Sequence, residues 1–164
     1  MEIQGRAWKY GDHVNTDVIF PGKYTYTITD PAEMAPHALE DLDPEFATHV
    51  KPGDVVVGGK NFGCGSSREQ APQSIKSAGA GAIVARGFAR IFYRNCINIG
   101  LPALTCPEAV DAIEHGDQVS VDLEAGTITV GGQLFGFQPF TGYAKTIIES
   151  GGLIAHTRKV LGID

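Results

Sequence analysis

Two hydroxyls and a guanidinium stand side by side at Ser66-Ser67-Arg68, inside the stretch Gly59-Lys60-Asn61-Phe62-Gly63-Cys64-Gly65-Ser66-Ser67-Arg68-Glu69-Gln70-Ala71-Pro72. Arg68 can hold a carboxylate through two parallel N–H donors. Gly63 and Gly65 allow a ligand close to the backbone. The stretch follows an apolar run and leads into a helical pattern, a junction whose free N–H groups and helix dipole favour an anion. The local chemistry is a carboxylate-binding loop with a candidate serine base or nucleophile. A second reading competes with it. Ser66 and Glu69 fit the S-x-x-E capping box, which stabilises a helix start without any catalysis. If Ser66 capped the helix, however, Pro72 would lie beyond its first turn and remove a hydrogen bond. Local pattern alone leaves both readings open. The loop is neither a phosphate loop, since no Lys follows the second Gly, nor a G-x-S-x-G elbow, since Arg68 stands at its last position.

The elements that must position this loop follow from periodicity. Ile3 to Tyr10 reads as a strand, and Gly11 to Asp17 as a turn-rich segment leading into Val18-Ile19-Phe20. Pro21-Gly22 is a turn signal, and Lys23-Tyr24-Thr25-Tyr26-Thr27 has strand-type residues that equally suit a mobile loop. Asp30-Pro31 opens a helix predicted to run to Leu42. Asp54 to Val57 and Ala82 to Ala85 suit buried strands, with a helix from Gln70 to Ala78 between them. Phe88 to Asn98 reads as helix, Leu101 to Thr105 as strand and Pro107 to His115 as helix. Val119 to Leu123 and Thr127 to Val130 alternate with period two, and a third short strand is expected around Leu134 to Phe137. Helices close the chain at Thr141 to Ser150 and Leu153 to Leu161. Strand–helix repeats followed by hairpins predict an α/β domain with a mixed, partly parallel sheet, flanking helices and added β-hairpins.

Size and charge bound the function. A chain of 164 residues with 43% hydrophobic and 20% charged residues fits a single globular domain over 1–164. Net charge is -6 with no basic run, which argues against nucleic acid. No apolar stretch has membrane-spanning length and the start lacks a signal-peptide pattern, so a cytoplasmic protein is expected. Cys64, Cys96 and Cys106 form no C-x-x-C pair, so neither a zinc site nor a full iron–sulfur ligand set is expected on this chain. Cys96 and Cys106 read as buried small hydrophobes. Arg90 and Arg94 could reach the Arg68 site, although arginines on a helix surface are commonly solvated.

Four segments together carry a family resemblance. Asn61-Phe62-Gly63-Cys64-Gly65-Ser66-Ser67-Arg68-Glu69 closely resembles the signature of isopropylmalate dehydratase small subunits, and the aconitase swivelling domain has a similar G-S-S-R-E. Gly11-Asp12 with Asn15-Thr16-Asp17-Val18-Ile19, Gly87-Phe88-Ala89-Arg90-Ile91-Phe92 (with Gly87 in place of the usual Ser) and Asn95 to Pro102 resemble three further family segments. The matches span Gly11 to Pro102. The resemblance implies a swivelling β/β/α domain, the small subunit of a two-subunit hydro-lyase. It implies a large catalytic subunit that carries a [4Fe–4S] cluster, no cofactor bound by this chain, and a small dicarboxylate substrate; self-association is a further possibility. By similarity Ser66 is the base, Arg68 binds a substrate carboxylate, Ser67 positions substrate or supports the loop, and Asp17 lines the active site, its other reading being a turn-stabilising Asp.

In related enzymes the segment at Tyr24-Thr25-Tyr26-Thr27 reads the group on the substrate's variable carbon. It holds no Arg here, which tilts toward an apolar substituent such as the isopropyl of isopropylmalate over the carboxylate-bearing chain of homoaconitate. It also departs from the Tyr-Leu start of the commonest loops, which leaves citraconate and dimethylmaleate open. An unrelated reading, a non-catalytic dicarboxylate-binding module, predicts tight binding by the chain alone.

Overall fold

In the computed structural model, which describes residues 1–163, the strands are β1 (Glu2–Lys9), β2 (Val55–Gly58), β3 (Ala82–Ala85), β4 (Ala103–Thr105), β5 (Gln118–Asp122), β6 (Thr127–Val130) and β7 (Gln133–Gly136). The helices are α1 (Thr16–Ile19), α2 (Pro31–Met34), α3 (Pro44–His49), α4 (Gln70–Ala78), α5 (Arg90–Ile99), α6 (Pro107–Ala112), α7 (Gly142–Glu149) and α8 (Leu153–Leu161). All seven strands join one sheet in the order β4-β3-β2-β1-β5-β6-β7. β1 to β4 pair in parallel, whereas β1–β5, β5–β6 and β6–β7 pair antiparallel. The mixed sheet agrees with the sequence expectation.

The composition of each strand explains which faces it covers. β2 and β3, VVVG and AIVA, are buried at every position, as strands with helices on both faces must be. Val55, Val57, Ala82 and Val84 enter one core, while Val56, Ile83 and Ala85 enter the other. β5 and β6 alternate instead, and Val119, Val121, Ile128 and Val130 all face the first core. β1 belongs to both halves, with Ile3 and Ala7 in the first core and Trp8 in the second. The carboxyl ends of β1, β2 and β3 open into the loops that carry the family motifs.

The structure corrects, decides or adds to the sequence reading at four places. Of the two readings of Lys23 to Thr27, the strand is excluded: the segment lies on a 3-10 turn over Gly22–Tyr24 and the turns after it, closed by Thr25 N–H to the Gly22 carbonyl at 3.1 Å and Ile28 N–H to the Tyr24 carbonyl at 3.0 Å. The helix from Pro31 to Leu42 stops at Met34 and continues only as a 3-10 turn, Ala35–His37, because Pro36 supplies no N–H to an α-helical ladder. Val18 and Ile19 belong to the short helix α1, capped by the Asn15 side chain, which accepts from Asp17 N–H at 2.7 Å. α3 was not foreseen, although Asp43-Pro44 repeats the start signal of Asp30-Pro31, and Asp43 caps it through Glu45 N–H.

Candidate active site

Three loops are zipped into a platform by main-chain bonds. Gly59 N–H reaches the Gly11 carbonyl at 2.9 Å, His13 N–H the Lys60 carbonyl at 2.8 Å, Gly63 N–H the Val14 carbonyl at 2.8 Å and Thr16 N–H the Cys64 carbonyl at 2.8 Å. On the other side Phe62 N–H reaches the Gly87 carbonyl at 3.0 Å, and Ala89 N–H reaches the Phe62 carbonyl at 2.9 Å. The loops therefore prolong the parallel pairing of β1, β2 and β3 beyond the regular sheet. This pairing keeps Phe88 and Ala89 extended and delays α5 to Arg90, two residues later than periodicity suggests. Phe62, Phe88 and Phe92 interlock beneath, with ring centroids 5.6 to 6.4 Å apart.

Above the aromatic layer lies a cleft of about 180 Å³, walled by Gly63 and Gly65 to Arg68 on one side and by Ala89, Arg90, Ile91, Phe92 and Asn95 on the other. Gly63 and Gly65 have φ of 85° and 98°, left-handed values that side chains resist. A Cβ on Gly65 would also lie 2.8 Å from Asn15 Oδ1, and one on Gly63 would overlap the Phe92 ring. The glycines thus let the Ser66 turn settle against α1 and α5. Thr16, buried, donates its hydroxyl to the Ser66 carbonyl at 2.9 Å, fixing that turn from below.

Ser66 is not a helix cap. α4 begins at Gln70 with Glu69 in the capping position and no side-chain cap bond. Pro72 is then the third helical residue, where a missing N–H leaves no intrahelical bond unmade. Ser66 and Ser67 are exposed in the cleft wall. Arg68 is mostly covered, and its Nη1 lies 2.7 Å from Asp17 Oδ1. The same nitrogen makes no aligned hydrogen bond among the described residues, so this contact is charge proximity rather than a directed bond. Asp17 is 57% exposed at its side chain and stands outside the cleft lining, behind Arg68.

The Tyr24 to Thr27 segment borders the site without lining the cleft. Tyr24 turns away, its ring 4.1 Å from His37 and its hydroxyl donating to Glu40 Oε1 at 3.3 Å. Thr25 Oγ1 is buried without a hydrogen-bond partner among the described residues. Tyr26 is 95% exposed, and Thr27 is exposed. Gln70 fastens the segment to the start of α4 by donating Nε2 to the Thr25 carbonyl at 3.0 Å and the Ile28 carbonyl at 2.9 Å. Its anchoring is therefore two residues from Arg68. Thr16, Asn15 and Asn95 were missed as contributors; the first two lie in the Asn15-Thr16-Asp17 motif, where the sequence drew attention only to the aspartate.

An iron–sulfur cluster does not fit the donors of this chain. Cys96 and Cys106 belong to different cores, and burial pushes both thiols upward. Cys64 lies in the site loop, and no group of three or more His, Cys, Asp or Glu gathers among the described residues.

Residues 12–109 match the model of the aconitase C-terminal domain, and the chain belongs to that family. A 3-isopropylmalate dehydratase small subunit of Caldanaerobacter subterraneus is 55% identical over 159 residues, covering 96% of this chain and 98% of that protein. A 2,3-dimethylmalate dehydratase small subunit of Eubacterium barkeri is 52% identical over 156 residues, covering 94% and 95%. The crystal structure of a 3-isopropylmalate dehydratase of Methanocaldococcus jannaschii matches with a TM-score of 0.91 at 44% identity, covering 99% of this chain and 98% of that one. Within the family, the chain stands with the 3-isopropylmalate dehydratase small subunits over its whole length.

Proposed function

We propose that this chain is the small subunit of a hydro-lyase that interconverts 2-isopropylmalate and 3-isopropylmalate through isopropylmaleate, in complex with a large subunit. The observation that carries the reading is the cleft in which Ser66, Ser67 and Arg68 share one wall at the carboxyl ends of the parallel strands. A [4Fe–4S] cluster on the large subunit supplies the Lewis acid that the donors of this chain cannot hold.

Arg68 binds a substrate carboxylate with the edge of its guanidinium not turned to Asp17. Ser66 Oγ then removes the proton from the carbon beside a carboxylate. The C–H electron pair becomes the new C=C bond as hydroxide leaves the neighbouring carbon with the C–O pair; in rehydration hydroxide adds to the carbon that lost the proton, and Ser66 Oγ returns a proton to the carbon that lost the hydroxyl. A neutral serine hydroxyl is a poor base and its alkoxide is costly to form in water; the Arg68 charge beside it lowers that cost. Ser67 orients the bound carboxylate. The Tyr24 to Thr27 segment, held beside Arg68 by Gln70, faces the variable substituent once the large subunit closes the site. Without an Arg there, an apolar substituent is preferred.

A second reading, a dimethylmalate-type dehydratase, is favoured by the Eubacterium barkeri relative at nearly equal identity. Both readings are tested by a hydratase assay that follows isopropylmaleate absorbance, with the chain alone and with its anaerobically reconstituted large subunit. Turnover only in the mixture is expected, with loss of about 10³-fold on Ser66→Ala while the complex stays intact. Full activity of that variant refutes the base assignment. Turnover of dimethylmaleate but not isopropylmaleate selects the second reading. Tight dicarboxylate binding by the chain alone, without turnover in the mixture, would make it a binding module.

A further inference from the structure

The proposed substrate carries two carboxylates, and Arg68 already stands against one anion, Asp17 at 2.7 Å. One partly neutralised cation leaves one substrate carboxylate unmatched on this chain. Across the cleft from the Ser66–Arg68 wall stands Arg90, the first residue of α5 and the other cationic residue of the lining. The Arg90 guanidinium forms no salt bridge or hydrogen bond among the described residues, unlike that of Arg86, four residues earlier just after β3, which pairs with Asp111. An uncompensated guanidinium at a cleft is notable in a chain of net charge -6, where carboxylates outnumber cations. Its backbone is held firmly: Ala89 N–H bonds the Phe62 carbonyl at 2.9 Å, and Phe62 packs against Phe88 and Phe92 on either side of Arg90. The aromatic layer thus fixes the starting point of the Arg90 side chain relative to the Ser66 loop.

We infer that Arg90 is a second carboxylate anchor of this site, gripping the substrate carboxylate that Arg68 does not hold and setting the substrate's direction across Ser66. The inference rests on the dicarboxylate hydro-lyase reading. Arg94, one turn further along α5, shares a neighbouring groove with Arg90, Phe88, Tyr93 and Thr105 but, unlike Arg90, does not line the cleft, so it serves as a control for a general effect of charge.

The test is steady-state kinetics of the reconstituted complex on 2-isopropylmalate. Arg90→Gln is expected to raise KM about 30-fold with kcat changed less than about threefold, the pattern of a lost binding contact. Arg90→Lys should recover part of the loss, because a point charge replaces a fork. Arg94→Gln should leave KM within about twofold, since a charge outside the cleft is screened. An unchanged KM in Arg90→Gln, or an equal rise in Arg94→Gln, overturns the inference while wild-type turnover keeps the functional reading. If the wild-type complex turns over no substrate, that reading fails, and calorimetric titration of the same complex with 2-isopropylmalate decides the inference. Weaker binding by Arg90→Gln than by wild type supports it, and equal or undetectable binding in both overturns it.

Discussion

At the scale of single residues, the site is organised around the shared guanidinium of Arg68. The covered arginine and half-exposed Asp17 approach closely, yet the N–H is not aimed at the carboxylate. A pair open to solvent on its carboxylate side, with no aligned hydrogen bond, contributes at most about 1 kcal/mol to folding. In the proposed mechanism its use is orientation, with Asp17 restraining a guanidinium whose two terminal nitrogens stand over Gly22. Asp17→Asn is therefore expected to leave the urea midpoint almost unchanged while kcat/KM of the complex falls about tenfold. Arg68→Lys keeps the charge but loses the fork, and its kcat/KM should fall further, about 100-fold. A stability loss in Asp17→Asn that matched its activity loss would mean the pair is structural.

At the scale of elements, what could be read in advance and what could not separate along physical lines. β2, β3 and α4 are contiguous in sequence and governed by local pattern, and α4 spans the predicted Gln70 to Ala78. The residue chemistry of the Ser66 loop was legible because Gly, Ser and Arg chemistry is local, but local pattern did not decide between a loop and a helix cap at Ser66. The state of Tyr24 to Thr27 was not legible, because it is fastened by Gln70, a residue more than forty positions away whose side chain takes up the Thr25 carbonyl and that of Ile28 just beyond. The start of α5 was likewise misplaced because the long-range bridge of Phe88 to Phe62 overrides local helical preference. Gln70→Ala follows directly. It removes two part-buried hydrogen bonds, so global stability should fall by about 1–2 kcal/mol. Backbone amides of residues 24–28 should exchange with solvent at least about tenfold faster, measured by mass spectrometry, while those of β2 and β3 keep their protection. Discrimination between isopropylmaleate and citraconate should weaken in the same variant. Faster exchange with unchanged discrimination would remove the segment from substrate choice.

At the scale of the whole molecule, two cores meet across one sheet, and β1 is the strand that the parallel and antiparallel halves share. Asp54, buried at the start of β2, ties that junction. Its carboxylate accepts from Arg6 N–H at 2.9 Å, Trp8 Nε1 at 2.9 Å and Lys51 N–H at 3.0 Å, while the Arg6 guanidinium lies 4.4 Å from the centre of a Trp8 ring. Burial alone would raise the Asp54 pKa. The indole and backbone donors and the Arg6 charge outweigh it, so the group is held below the ordinary carboxylate value. The unfolded chain, titrating near about 3.9, therefore takes up the Asp54 proton before the folded one does. The stabilisation is complete above that value and is lost as pH falls through the lower folded pKa. Asp54→Asn keeps the shape and one acceptor oxygen but leaves a buried donor poorly matched, which should cost about 2 kcal/mol at pH 7. The gap between wild type and variant in urea unfolding should stay constant from pH 7 down to about 5, then narrow below about pH 4 as wild type alone loses this contribution. A gap of the same size at about pH 3 and pH 7 would show that the Asp54 charge does not hold the two halves together.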